Sequence, residues 1–280
     1  MSVRSYYDSN TWKFLIAGSQ GAIHRELWAP GVARKKEAMH HAHALVVEEA
    51  RAIVERKRTG PTRVLDLGCG VGATTQYVAE RLPVEALGVS ISPVQIRTAR
   101  RWLRWRRKSL AGSCAFREAD FCALPPDLVG FDLAFAIEAF VHAPDPAAFF
   151  RNVAGALRPG GRLILIDDFL DGAARNSPRD RQVLDEVRRG WHMGSLLTVA
   201  QADALARTHG LRRLRADDLS PWQRLGRPRD RLIHAALPLL RLGALYSHWC
   251  ESLVGGDALQ TAHKRGLVQY RLVIFERADG

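Results

Sequence analysis

The chain has 280 residues, 47% hydrophobic and 25% charged, which suits one large α/β unit with an insertion or two small domains. Its longest apolar stretch, 232–246, is cut by His234, Pro238 and Arg241, which excludes a bilayer span, and the polar start MSVRSYYDSN has no apolar core of signal-peptide length. The net charge of +12 admits nucleic acid, anionic lipid or an anionic small molecule as partner, yet arginine far outnumbers lysine, the pattern of arginine replacing lysine on a solvated surface. The four cysteines, Cys69, Cys114, Cys122 and Cys250, show no CxxC spacing and are expected to be reduced thiols of a cytoplasmic protein.

In chain order, residues 1–58 are expected to form a helical arm. Short apolar runs at 63–67, 86–89, 131–137 and 162–167 read as strands, with a weaker one at 114–118. Helical patterns fall between them at 74–81, 93–108 and 146–157, and RPGG at 158–161 reads as a helix stop and turn. This alternation predicts a doubly wound parallel sheet with helices on both faces. After residue 170 come a helix near 176–194, a second from Thr198 to Gly210, a strand at 211–215 and a last strand at 268–275. The proline-punctuated segment 221–263 is too long for a simple connection and is expected to be a helical cap.

The motif VLDLGCGVGATT at 64–75 places Gly68, Gly70 and Gly72 between a strand and a helix, where positive φ and close approach of a ligand are needed. Asp66 stands where a carboxylate faces a ligand amine. The run DLGCG resembles motif I of the class I S-adenosylmethionine (SAM) methyltransferases. VSISPVQ after the second strand, Asp120 and Phe121 in EADFCALP, IEAFVHAPD and LRPGGRLILID follow in that family's order. The resemblance covers about 60–170 closely and implies a Rossmann-like seven-stranded fold with SAM as cofactor. It also implies cofactor contacts from Asp66, the three glycines, Ser90, Gln95, Asp120 and Phe121. Many relatives carry an acid where this chain has Ser90, so Gln95 is expected to share the ribose site.

GVSISPVQ, the early YYD and IEAFVHAPD look like the branch of tocopherol, sterol and prenyl-diphosphate C-methyltransferases. That resemblance implies an apolar alkene acceptor, with Glu138 in the substrate pocket as base and cation-stabilising carboxylate. Two other readings of Glu138 stay open: a helix cap, or a ligand of the SAM amino group. His142 reads as a base, a diphosphate ligand or a structural histidine. Tyr7, His24, Phe140, Trp191, Trp222 and Tyr246 are the expected acceptor contacts, the aromatics supplying cation–π stabilisation. Arg25, Arg224, Arg227 and Arg231 are candidates for holding a diphosphate, in which case Mg²⁺ would accompany the substrate. His40, His41 and His43 do not put three nitrogens on one helix face, so no tight metal site is expected. O- or N-methylation of an aromatic or polyketide product is the alternative activity. The basic run at 97–108 reads as a solvated helix face, with RNA methylation the remote alternative. A homo-oligomer is left open.

Overall fold

The computed structural model describes residues 24–106, 109–172, 177–242 and 248–279. Tyr7 and Tyr246, both expected at the substrate, lie outside these residues, as do residues 1–23 of the arm.

The first described helix is α1 (Lys35–Arg56). Strands β1 (Thr62–Leu67), β2 (Val84–Ser90) and β3 (Ser113–Glu118) alternate with α2 (Ala73–Arg81) and α3 (Pro93–Arg106). β4 (Phe131–Ile137), α4 (Pro146–Ala156) and β5 (Leu157–Leu170) follow, then α5 (Pro178–Trp191) and α6 (Val199–Thr208). β6 (Leu211–Asp218), α7 (Pro228–Leu242), α8 (His248–Lys264) and β7 (Val268–Arg277) complete the described elements. The seven strands form one sheet in the order β3-β2-β1-β4-β5-β7-β6. β1 to β5 are parallel, and β7 is antiparallel to both of its neighbours. Strand order reverses between β1 and β4, and at such a switch point the strand ends leave a crevice for ligands.

The apolar runs become strands because both faces of the sheet are covered. Phe131 to Ala136 of β4 are all buried, as are Leu163 to Phe169 of β5. Two apolar layers result, one with Phe149, Phe150 and Phe275, the other with α1, Phe135 and Tyr270. Asp132, at the start of the central strand β4, ties the opposite ends of the strands together: its buried carboxylate takes Lys57 Nζ at 2.6 Å, the Arg63 amide at 2.8 Å and Arg158 Nε at 2.5 Å. The segment expected as a plain turn at 158–161 is instead taken into β5, with a register irregularity between Phe131 and Leu133 and Gly160 at φ 69°. Two helices, α7 and α8, stand between β6 and β7 in the segment where a helical cap is expected.

Candidate active site

The turn after β1 depends on its glycines. Gly68, Gly70 and Gly72 have φ of 80°, 54° and 82°, all in the left-handed region. A Cβ on Gly68 would stand 2.6 Å from the Cβ of Ala139, and one on Gly72 would run into the Phe116 ring at 2.3 Å. The loop can therefore lie directly against the residue that follows Glu138. The amides of Gly68 and Cys69 both donate to the Val89 carbonyl at 2.9 Å, which ties the loop to the end of β2.

A cavity of about 600 Å³ opens at this point. The half beside the glycine loop carries Asp66, Gly68, Gly70, Ser90, Gln95, Asp120 and Phe121. Gly72 turns the chain into α2 beside it, so all of the expected cofactor residues converge at this end. Asp66 is buried and accepts from Thr75 Oγ1 at 2.6 Å. Burial pushes its pKa up to about 7, against the pull of the Thr75 hydrogen bonds. Ser90 donates to Gln95 Oε1 at 2.8 Å and accepts the Ser92 amide at 3.1 Å. The cavity thus presents the Gln95 carboxamide, backed by Ser90, where many members of the family that the sequence resembles carry a carboxylate. Asp120 is exposed and accepts the Cys122 amide at 2.8 Å, and Phe121 packs edge-on against Phe149.

The other half of the cavity is walled by His24, Arg25, Glu138, Val141, His142, Asp167, Asp168, Trp191, Met193 and Leu259. Glu138 has φ 49°, an uncommon conformation for a residue with a side chain, and its amide donates to Ile166 at 2.9 Å. Its Oε1 accepts the Tyr270 hydroxyl and the Arg25 amide, each at 2.9 Å. Burial and then the Glu138 charge hold the Tyr270 phenol well above its ordinary pKa, so it stays a donor. Arg25 Nη1 donates to Asp168 Oδ1 at 2.8 Å, its Nη2 donates to Asp168 Oδ2, and its guanidinium lies over the Tyr270 ring. His263 Nε2 sits 2.9 Å from the same Asp168 carboxylate. Burial alone would raise the Asp168 pKa, but Arg25 and His263 override it and hold the carboxyl well below the usual range. Its neighbour Asp167 goes the other way: burial, then the Asp168 charge, push it well above that range.

His142 lies on a short 3-10 turn (Phe140–His142), buried in the cavity wall near the backbone of Trp191 and His192. Burial lowers its pKa and keeps it neutral. His24 and Trp191, two of the expected acceptor contacts, also line the cavity. Two expected acceptor contacts do not. Phe140 is fully buried between Phe149, Phe150 and Phe169, because the 3-10 turn points it back into the sheet's apolar layer. Trp222 packs edge-on against His41 of α1 and takes no part in the wall. The three candidate diphosphate arginines of the cap are engaged elsewhere: Arg224 stacks on Trp28, Arg227 pairs with Glu26 at 3.0 Å, and Arg231 donates to Gly226 O. Among the described residues, Arg25 is the one arginine or lysine in the wall, and no group of three His, Cys, Asp or Glu could hold a metal ion. No described helix is long and apolar enough to cross a membrane.

Sequence reasoning missed Asp167, Asp168, Tyr270 and His263. The acids were detectable, since IDD ends a buried strand just as IE does. Tyr270 comes from antiparallel β7 and His263 from the cap, and neither carries a local signal.

A mostly parallel sheet with a glycine loop at its switch point and an acid-lined cavity is the architecture of nucleotide-cofactor proteins. A family model described as "Methyltransferase domain" matches residues 64–161. The chain is 30% identical over 198 residues to the 27-O-demethylrifamycin SV methyltransferase of Amycolatopsis mediterranei, covering 67% of this chain and 71% of that protein. It is 25% identical over 223 residues to the chloroplastic tocopherol O-methyltransferase of Arabidopsis thaliana, covering 77% of this chain and 63% of that one. The match spans between 41% and 63% of the length of the first five curated relatives. The fold is shared with the [4+2]-cyclase SpnF (TM-score 0.75, 22% identity, 99% of this chain and 96% of that one). It is shared too with the geranyl diphosphate C-methyltransferase of Streptomyces coelicolor A3(2), solved with Mg²⁺, geranyl diphosphate and S-adenosyl-L-homocysteine (TM-score 0.66, 15% identity, 99% and 97%). The chain belongs to the class I SAM-dependent methyltransferases. The residues fit that cofactor: the loop admits no Cβ at Gly68, and Asp66 is a buried carboxylate whose charge a ligand ammonium would compensate.

Proposed function

We propose that this protein methylates a carbon of an uncharged isoprenoid or terpenoid alkene. The observation that carries this reading is the Glu138 carboxylate, held by Tyr270 and Arg25 at Oε1 and facing the cavity beside the glycine loop. SAM supplies an electrophilic methyl group on a sulfonium. When an alkene carbon takes that methyl, the acceptor becomes a carbocation and must lose a proton. Glu138 stabilises that cation by charge and accepts the proton, and Trp191 adds cation–π attraction of about 0.5–2 kcal/mol. Val141, Met193 and Leu259 give the acceptor an apolar wall and help exclude water.

Charge separates this reading from others. Arg25 is committed to Asp168 and Glu138, so no described arginine or lysine of the cavity wall is left for a phosphate or phenolate. The wall suits a neutral acceptor that turns cationic. The basic α3 contributes Gln95 to the cavity and none of its arginines, which speaks against an RNA acceptor.

A second reading, O-methylation of an aromatic or polyketide hydroxyl, has its own support. Burial keeps His142 neutral and thus able to act as a base, and several relatives are named O-methyltransferases.

The test uses SAM with a labelled methyl group and three acceptor sets: neutral terpenoid alkenes, prenyl diphosphates with and without Mg²⁺, and phenols. The reading expects label on carbon from the neutral alkenes. Label on oxygen alone, or on carbon only with a diphosphate and Mg²⁺, would replace it by the corresponding alternative.

A further inference from the structure

The segment 24–34 enters over the strand ends and is fastened at three backbone points. The Arg25 amide donates to Glu138, the Leu27 amide to Ala38 O at 2.9 Å, and the Trp28 amide to Trp222 O at 2.7 Å. A side-chain contact begins the segment. His24 Nε2 lies 2.5 Å from His43 Nε2, with the rings edge to face at 4.5 Å. His43 Nδ1 in turn lies 3.3 Å from His40 Nδ1 on the same helix. His24 is in the cavity wall and His43 is buried in α1.

Proton positions follow from the neighbours. His24 Nδ1 faces the Arg25 carbonyl at 3.1 Å and therefore carries hydrogen. Its Nε2 must accept, so the hydrogen between the two rings belongs to His43, and His43 Nδ1 is left to accept from His40. Only one hydrogen fits between two nitrogens this close. A further proton goes to His43 Nδ1, where it displaces the hydrogen bond from His40 and places a cation beside His40 and Arg81 with little water to screen it.

We propose that His43 is a positioning residue that latches the entry segment through His24, so that mild acid opens the wall formed by His24 and Arg25 and withdraws the Arg25 amide from Glu138. The charged and titratable groups around the pair come from four elements: Arg25 of the segment itself, His40 of α1, Tyr77 and Arg81 of α2, and Glu138 after β4. His40 and Arg81 add to the repulsion, while Glu138 attracts a charged His24 and opposes opening. Burial lowers the proton affinity of both rings in the latched state. The opened state therefore binds protons more tightly. Latching is complete above the ordinary histidine value of about 6.5 and weakens as pH falls below it, about tenfold per pH unit for one linked proton.

The test needs no acceptor and so stands apart from the reading of the reaction. Hydrogen–deuterium exchange of residues 24–34 in the full chain is followed from pH 8 to 5.5, corrected for intrinsic rates. Exchange at Leu27 and Trp28 should rise about tenfold per unit below about 6.5, and the double variant His24→Gln/His43→Gln, which keeps hydrogen-bonding groups without titrating ones, should remove the rise. Flat exchange in the wild type, or a rise that persists in the double variant, overturns the proposal. If His43→Gln alone exchanges fast at every pH, the seating role is supported. The ¹⁵N spectra of the wild-type rings then test the proton: coupled titration with segment opening supports the latch, and independent titration at ordinary values overturns it.

Discussion

The hydroxyl of Tyr270, on the antiparallel strand β7, donates to Oε1 of Glu138 at the end of β4, 132 residues earlier in the chain. The contact spans the width of β5, which lies between them in the sheet. It aims a carboxylate whose backbone is already held in an uncommon conformation. Tyr270→Phe removes the hydroxyl and leaves the ring under Arg25. The expected outcome is a loss of about tenfold in kcat, the worth of one hydrogen bond to a charged group, with KM for SAM unchanged. Steady-state kinetics on the acceptor found in the labelling experiment checks it, and a variant with wild-type kcat would remove Tyr270 from the machinery.

Gly68→Ala should lose SAM binding. The new Cβ meets Ala139 at 2.6 Å, and φ of 80° is strained for any residue with a side chain. A destabilisation of about 1–3 kcal/mol is expected with it. Calorimetry with S-adenosylhomocysteine and a thermal melt read the two effects separately.

Affinity for SAM should depend on pH through Asp66. Its carboxyl titrates near 7 because it is buried, and a ligand ammonium favours the ionised form. Binding is then strongest above about 7 and falls by up to tenfold per unit as pH drops below it. Without ligand the sign for stability is opposite. The raised value means the fold loses stability as pH climbs from the ordinary carboxylate value towards 7. Isothermal titration between pH 5.5 and 8 measures the first effect, and Asp66→Asn should flatten it at weaker affinity.

Phe140 and Trp191 should part company. Phe140→Ala empties a site among three other phenylalanine rings and should cost about 3–5 kcal/mol in a denaturant melt, with little change in acceptor KM for the protein that stays folded. Trp191→Ala should do the reverse, raising acceptor KM or lowering kcat with a smaller loss of stability.

The parallel core was legible in the sequence because burial on both faces forces continuous apolar runs, and DLGCGVG marks a turn that only glycine permits. β5 was harder. RPGG has the composition of a turn, yet the pairing with β4 and β7 draws it into the strand. The residues that gather beside the glycine loop were readable as a group, since they follow strands in chain order. The acceptor end was not. Phe140 and His142 are two residues apart, and the 3-10 turn sends one into the core and the other to the cavity. The ion cluster of Arg25, Asp168 and His263 joins an entry segment, a strand end and a cap helix, and no spacing rule anticipates that.

The most direct test of the account is a single turnover of Glu138→Gln on the alkene acceptor, with SAM affinity measured alongside. Glutamine keeps the size and a hydrogen-bond acceptor for Tyr270 but has neither the charge nor the basicity. The account predicts unchanged SAM binding and a loss of about 10²–10⁴-fold in labelled carbon product. A variant that methylates carbon at the wild-type rate would show that Glu138 neither stabilises the cation nor takes its proton.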